Sequence, residues 1–413
     1  LNMVIDEAKT INPQNITIVI SDEMTNYQKQ ITQNHSDLDI NFAIQIERKG
    51  TGHAVIEAVK TIKNLGEKVI ILYGDSPLIG SDTIKKMSEK LDNFDLCILG
   101  FDETKPNKYG RLVIDKNGSL EKIVEFKDAN ESEQNIILCN SGIVAVNGKK
   151  LDNLLSKITN NNASNEYYLT DIVEIAGKEG YSKTYLKTDG FEVLGVNSKV
   201  DLANLENIKQ NQLRQRMMEE GVTLLDPNST YFSFDTKISK NSIIHPQVFF
   251  GNKVEIAENV EVKSFSHIEG AKIAENVVIG PFARIRPETI LEKDVKINNF
   301  VEIKKSKLKS GSKVNHLSYI GDSEVGTNSN IGAGTITCNY DGHNKYKTSI
   351  GDNVFVGSNT LFIAPIKVGD NSVIGAGSVI TKEVGNDDLA VSRAKQQNIK
   401  NGGSKFHKTR LNK

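Results

Sequence analysis

Three cysteines in 413 residues, Cys97, Cys139 and Cys338, lie far apart and match no metal-ligand spacing. So sparse and odd a set makes no disulfide framework, which excludes the stapled secreted class and fits a reducing compartment. No apolar run is long enough to span a bilayer and no signal-peptide pattern opens the chain. A cytoplasmic protein without membrane insertion is therefore expected. A surplus of one charge is also lacking: 51 Lys and Arg stand against 52 Asp and Glu, for a net charge of −1. That balance gives no reason to expect nucleic acid or an anionic membrane as partner. Among the histidines of the second half, His245, His267, His316, His343 and His407, no spaced trio exists, which argues against a three-histidine zinc site.

What the sequence has is a period of six. Ile350, Val356, Phe362, Val368, Ile374 and Ile380 keep an unbroken register, and Gly351, Gly357, Gly369 and Gly375 each follow one of them. Upstream, Ile273, Ile279, Ile285, Leu291, Ile297 and Ile303 hold the same period. Leu308, Val314 and Ile320 resume it after a one-residue slip, and Val325 and Ile331 after another. Six is neither the helical 3.6 nor the strand period of two. It predicts an all-β parallel β-helix of hexapeptide repeats, with one residue per short strand pointing inward. An earlier register, Ile244, Phe250, Ile256, Val262 and Ile268, starts the solenoid near residue 236. Residues 337–349, TCNYDGHNKYKTS, interrupt it, and such insertions project from solenoids and often carry function.

The length predicts two or three domains. Residues 1–199 alternate strands and helices, with candidate strands Ile16–Ile20, Val69–Tyr73, Leu96–Gly100, Ile136–Val146 and Glu192–Val196. That pattern predicts an α/β domain on a mainly parallel sheet. Residues 200–220 are helix formers ending at Gly221 and predict a connecting helix, leaving 221–413 for the solenoid and a basic, solvated tail. In the α/β half, Val69–Tyr73 runs into Gly74, Asp75, Ser76 and Pro77, where an acidic residue at a strand's carboxyl end can hold magnesium bridging phosphates or serve as a turn residue. Gly50-Thr51-Gly52-His53-Ala54 precedes a helix, where backbone N–H groups can receive a phosphate or a base edge. Asn197 follows the last candidate strand as a second metal ligand or an N-cap. In the solenoid, His316 is the candidate base, since imidazole is the side chain poised near neutral pH. Arg286 and Lys304, eighteen residues apart, would stack on one edge if three hexads make a coil, and two cations there suit a phosphate.

These segments carry a resemblance. QIERKGTGHA, LYGDSPLI, YGRL, VEFKDA, NSGI, NEYYLTDI and GVNSK, in this order, look like the uridyltransferase half of the bacterial bifunctional N-acetylglucosamine-1-phosphate uridyltransferase / glucosamine-1-phosphate N-acetyltransferase family. GPFARIRP, NFVEIKK, NHLSYIGD, NIGAGTITCNYDG, NKYKT, VFVGSNT and AVSR resemble its acetyltransferase half. The resemblance implies a nucleotide-diphospho-sugar transferase fold, a left-handed coil and a homotrimer with acetyl-CoA between subunits. It implies two reactions supplying UDP-N-acetylglucosamine for peptidoglycan and lipopolysaccharide. In one, acetyl-CoA as co-substrate acetylates glucosamine 1-phosphate. In the other, N-acetylglucosamine 1-phosphate attacks UTP with Mg2+ and releases pyrophosphate.

Carried over by position, the resemblance places Gln45, Gly50 and Thr51 on the uridine nucleotide and Tyr73, Gly74 and Asp75 at the nucleotide–sugar junction. Gly110, Glu125 and Asn140 would hold the N-acetylhexosamine, and Asp75 and Asn197 the magnesium. It assigns His316 as base and Arg286, Lys304, Tyr319 and Asn330 to the sugar phosphate. Ala333, Asn339, Tyr340, Ser358, Ala376 and Arg393 go to acetyl-CoA, with Lys345 nearby. One departure stands out. The family's first strand leads into a glycine-rich loop with an arginine and a later lysine, and no such run lies upstream of Ile16. The expectation is a fragment of a longer protein or a decayed site, with uridyl transfer by the residues as written lacking its main cationic grip. Two alternatives accompany this reading: a non-catalytic solenoid scaffold, and an acyltransferase for a different amino sugar.

Overall fold

The computed structural model describes residues 1–411 apart from Pro106 and Ala163. It divides into two compact units, Leu1–Ile208 and Lys209–Lys413.

Among the described residues the first unit carries eight strands: β1 (Ile16–Ile20), β2 (Ile40–Ile44), β3 (Lys68–Ile71), β4 (Leu96–Asp102), β5 (Arg111–Ile114), β6 (Leu120–Val124), β7 (Leu138–Asn147) and β8 (Lys183–Thr188). β1 and β2 form a parallel two-stranded sheet of their own. The larger sheet runs β6-β5-β7-β4-β8, with β3 beside the carboxyl half of β7. The expectation of a mainly parallel sheet is corrected: β7 is antiparallel to β3, β4 and β5, and only β4 and β8 run parallel in this sheet. The ten-residue β7 borders β4 along its length, and its other edge passes from β5 to β3. No described strand pairs with the far edge of β3. β4 is buried on both faces from Leu96 to Phe101, which is why it reads as one continuous apolar run.

The predicted strand Glu192–Val196 is also corrected. Residues Gly190–Val193 form a 3-10 turn, and the strand lies earlier, in β8. The Glu192 carboxylate accepts from Gly80 N (3.1 Å) and from the Thr188 hydroxyl (2.8 Å), so tertiary hydrogen bonds hold this segment out of the sheet. A helix, Lys199–Glu219, follows and crosses the division between the units. Among the described residues no helix is long and apolar enough to cross a membrane.

The second unit is a left-handed parallel β-helix with three faces, each a ladder of two- to four-residue parallel strands. The solenoid begins earlier than expected, at Thr223–Leu224, which pairs with Ile243–Ile244. One face stacks Ile244, Val262, Ile279, Ile297, Val314, Ile331, Val356 and Ile374 inward. The second stacks Phe250, Ile268, Ile285, Ile303 and Ile320, then Phe362 and Ile380. The third stacks Ile238, Ile256, Ile273, Leu291, Leu308, Val325, Ile350 and Val368. Each of these side chains is almost wholly buried in one continuous core. At the second face the position between Ile320 and Phe362 is Thr337, buried, with its hydroxyl accepting from Gly321 N at 2.8 Å.

A coil of 18 residues carries Ile244 to Val262. The slips at Ile273, Leu308 and Val325 each fall at one corner, between the second and third faces, and so does the insertion. Corners need left-handed backbone, and Asn241, Asn259, Asn276, Asn328, Asn353, Asn359 and Asn371 supply it at φ values between 55° and 62°. Glycine is required where coils touch. A Cβ on Gly326 would stand 2.2 Å from the Gly351 carbonyl oxygen, and one on Gly357 would stand 2.4 Å from Ala376 N. That explains the hexad-plus-glycine pattern. The open amino end of the core is closed by the helix, whose Leu213 and Met217 join it. Gln210 donates to Phe232 O at 2.6 Å and accepts from Phe232 N at 2.9 Å, and Arg214 donates to Thr230 O at 3.0 Å.

Candidate functional site

In the first unit the helix Thr51–Thr61 starts at Gly50, whose φ of 107° only glycine adopts readily. A Cβ there would meet the Tyr167 carbonyl oxygen at 2.7 Å. Gly52 N donates to that same oxygen at 2.8 Å, so this amide of the helix start is already used by the protein. The Thr51 hydroxyl accepts from Leu169 N at 3.2 Å and hydrogen-bonds the half-buried Tyr73 phenol. Gln45 donates to Gly50 O and contacts His53 Nδ1, both at 3.1 Å. Thus the segment 166–169, at the heart of NEYYLTDI, fastens the glycine pair to the end of β3.

The sugar-side residues lie close by. Asn140 N donates to Gly110 O at 2.8 Å, and the Asn140 side chain accepts from Gly142 N at 3.0 Å. A Cβ on Gly110 would lie 3.3 Å from Glu125 Oε2, and one on Gly142 would lie 2.5 Å from the Tyr73 ring. Tyr73, Gly110, Glu125 and Asn140 therefore lie together. Burial raises the Glu125 carboxyl above the usual carboxylate range, although Thr170 donates to it at 3.1 Å. Asp75 and Asn197 are brought together across Gly195: Asp75 Oδ2 and Asn197 Nδ2 lie 3.5 and 3.6 Å from where a Gly195 Cβ would sit. Val196 N donates to Asp75 O at 2.9 Å and fixes that approach. Hard oxygen donors from one carboxylate and one amide fit a magnesium ion that keeps waters and phosphate oxygens in its shell.

Asp171 is raised to about 6 by burial first and then by Glu174, Glu125 and Asp128. An acid whose folded pKa lies above its unfolded 3.8 binds more protons when folded, so stability falls as pH rises from about 4 to 6 and the penalty persists above that. Asp171→Asn is expected to stabilise the first unit by about 1–2 kcal/mol at pH 7.5, after discounting for its remaining solvent screening. The gain should vanish near pH 4. Urea unfolding at the two pH values checks this, and equal gains at both would refute the electrostatic cause.

In the solenoid, Arg286 and Lys304 stand on consecutive coils at the end of the second face, with Arg286 N donating to Ile303 O. Neither cation is free. Arg286 pairs with Glu302 at 2.8 Å and Lys304 with Asp322 at 3.8 Å. Lys345 reaches this corner from the insertion, and the neighbouring Lys304 ammonium lowers its pKa. The insertion is a short hairpin in which Tyr340 bridges Lys345 and Tyr346 N donates to Asn339 O at 2.8 Å. Asp322 holds its base: it accepts from Asn339 Nδ2 (2.5 Å) and, by its carbonyl, from Thr348 N (3.2 Å). The Tyr319 hydroxyl lies 3.4 Å from Asn339 Nδ2. Three cations, Tyr319 and Asn339 thus converge at one corner.

His316 lies at the opposite corner of the same face. It is exposed, not inward; Val314 fills the inward position of that strand. Its Nδ1 lies 2.7 Å from Asn299 Oδ1, one coil away. Asn330 sits on the next coil, paired with Lys313, and Gly334 N donates to His316 O at 3.2 Å. Above it, Ala333, Ser358 and Ala376 follow Gly332, Gly357 and Gly375 on successive coils, a track of small residues with Arg393 Nη1 donating to Ala376 O at 2.5 Å. Sequence reasoning missed Glu302, Asp322 and Asn299. The usable signal was the coil itself: each lies 16–18 positions before or after an identified residue on a neighbouring coil.

The comparisons with known proteins agree with this architecture. Residues 2–202 match the nucleotidyl transferase family, and residues 347–382 match the hexapeptide repeat of succinyl-transferase. The bifunctional protein GlmU of Zymomonas mobilis is 45% identical over 419 residues, spanning 100% of this chain and 92% of that protein. The chain belongs to the bifunctional GlmU family. GlmU proteins of Paramagnetospirillum magneticum and Marinobacter nauticus are 42% and 43% identical, each across 97% of this chain and 89% and 91% of theirs. GlmU identity therefore extends over both units.

Proposed function

We propose that this GlmU-family chain transfers acetyl from acetyl-CoA to glucosamine 1-phosphate, and that its first unit joins N-acetylglucosamine 1-phosphate to UTP. The observation that carries the acetyl-transfer reading is the corner at which Arg286, Lys304 and Lys345 meet Tyr319 and Asn339, across one strand from an exposed histidine. Three cations with two paired carboxylates leave a surplus of positive charge suited to a sugar phosphate. His316 Nε2 takes a proton from the C2 amine of the bound sugar. The amine nitrogen attacks the thioester carbonyl as that proton leaves, the tetrahedral intermediate collapses, the C–S bond breaks, and the proton held on Nε2 passes to the departing thiolate to give the amide and free CoA. Asn330, which the resemblance assigns to the sugar phosphate, stands on the first face beside Lys313 and apart from the cationic corner of the same chain. The Ala333, Ser358 and Ala376 track, with Arg393 beside it, takes the pantetheine and nucleotide of acetyl-CoA; Asn339 and Tyr340, at the other corner of the same face, reach that ligand from a neighbouring subunit of the trimer proposed below.

In the first unit, Gln45, Gly50 and Thr51 take the uracil and ribose, while Gly110, Glu125 and Asn140 hold the N-acetylhexosamine beside Tyr73 and Gly74. Asp75 and Asn197 hold magnesium, which, when bound, neutralises phosphate charge as pyrophosphate leaves. The assembly proposed is a homotrimer. Its support is an apolar stripe, Phe265, Phe282, Phe300 and Leu317, exposed on one corner with ring centroids 4.9 and 5.0 Å apart.

Two assays on this chain test the reading: CoA release from acetyl-CoA with glucosamine 1-phosphate, and pyrophosphate release from UTP with N-acetylglucosamine 1-phosphate and Mg2+. Arg286→Ala and Lys304→Ala should each raise KM for glucosamine 1-phosphate about 10–100-fold, as expected for a lost charge-assisted contact. KM for acetyl-CoA should hardly move. Wild-type kinetics in both variants, or a clear preference for another amino sugar, would overturn the assignment.

A further inference from the structure

We propose that Asn299 is the residue that orients His316 and fixes its tautomer, a positioning role for a neutral amide. The proposal rests on the reading of His316 as the general base.

Asn299 ends the strand Lys296–Asn299, and His316 ends the strand Lys313–His316 one coil later; the two residues are register partners. Both precede a corner residue with left-handed backbone, Phe300 at φ 57° and Leu317 at φ 49°. The two corners therefore have the same shape and stack, which carries one side chain directly onto the other. The contact is double. Asn299 Oδ1 lies 2.7 Å from His316 Nδ1, and the Asn299 carbonyl accepts from Leu317 N at 3.1 Å. An amide oxygen can only accept, so Nδ1 carries the hydrogen and the Nε2 lone pair is left to take a proton from substrate. The next pair along the ladder repeats the geometry, with Asn298 Nδ2 donating to Asn315 Oδ1 at 2.9 Å, and this braces the strand ends in register.

The choice of an amide has a chemical consequence. A carboxylate in the same place would favour the imidazolium, which cannot act as a base. Asn299 selects the tautomer without adding that charge. The ionisable side chains of the two strands are otherwise Lys296 and Lys313, paired with one another in the register, and the next strand, Asn330–Ile331, has none. None of these three strands carries an acidic side chain.

The test compares Asn299→Ala, Asn299→Asp and His316→Ala in the full chain, with acetyl transfer followed from pH 5.5 to 9. Asn299→Ala is expected to lower kcat about 10–100-fold, as when the partner that orients a catalytic base is removed. Both KM values should stay within about threefold. Asn299→Asp keeps an acceptor of the same size. It should recover kcat at high pH while the acidic limb of the profile moves up by about one unit or more, because a carboxylate now faces the ring. Histidine 15N shifts should show Nδ1–H in the wild type and loss of that preference in Asn299→Ala. Wild-type kcat in Asn299→Ala beside an inactive His316→Ala would sink the positioning role alone. Full activity in His316→Ala would sink the base assignment beneath it. An unshifted limb in Asn299→Asp would show that the amide does not govern the protonation of His316.

Discussion

Replacing His316 by alanine is expected to lower kcat for acetyl transfer by about 10²–10⁴-fold, the usual worth of a positioned general base. The loss should appear in kcat, with KM for glucosamine 1-phosphate and acetyl-CoA little changed, because the phosphate grip belongs to Arg286, Lys304 and Lys345 at another corner. Stability should not suffer. The side chain is exposed, and the strand is held by its backbone ladder and by Val314 in the core. Pyrophosphate release by the first unit should be unaffected, since that site is built wholly from residues before 208. Steady-state kinetics in both assays on one preparation give the answer. A loss below tenfold in kcat would mean that another group accepts the proton.

Phe250→Ala is expected to destabilise the solenoid by about 3–5 kcal/mol. The Phe250 ring is fully buried and stacks on Phe232 with centroids 5.3 Å apart and planes 2° from parallel. Both rings lie in the first coils, where the helix closes the core through Leu213 and Met217 and where Gln210 holds the Phe232 backbone with two hydrogen bonds. A cavity there cannot be filled from the neighbouring coils, whose inward residues are fixed by the ladder. Solenoid coils touch only their neighbours, so the loss should loosen the amino end of the solenoid first. Denaturant unfolding with hydrogen exchange checks this: protection should fall at residues 223–262 before residues 350–380. A loss under about 1 kcal/mol would show that the helix cap, and not this ring pair, holds the first coils.

How far the sequence reached depends on where a residue points. An inward hexad position has one environment, a dry core three short strands around, so its chemistry is uniform and its period visible; Ile244 through Ile380 could be read directly. Strand β1 and the apolar β4 were legible for the same reason. Strand direction was not. Alternating strands and helices suggested parallel neighbours, yet β7 lies antiparallel to β3, β4 and β5, a direction set by which distant segments pair and not by any local run of residues. Nor was the fate of Glu192–Val196 legible, since its strand-like composition lost to the hydrogen bonds that Glu192 makes to Gly80 and Thr188.

By itself the sequence determined the solenoid, its six-residue period, the place of the insertion and, through the motifs, the family; that three hexads make a coil came from the ladders. Side-chain period and residue type suffice for those, because burial acts on every coil alike. Only the tertiary structure decided that slips and insertion share one corner, that Arg286 and Lys304 carry carboxylate partners, and that His316 faces outward with Asn299 against its Nδ1. These depend on which residues of successive coils stand one above another. That is fixed by strand register, and register is set by the sum of backbone pairings around the whole coil rather than by any local run of residues.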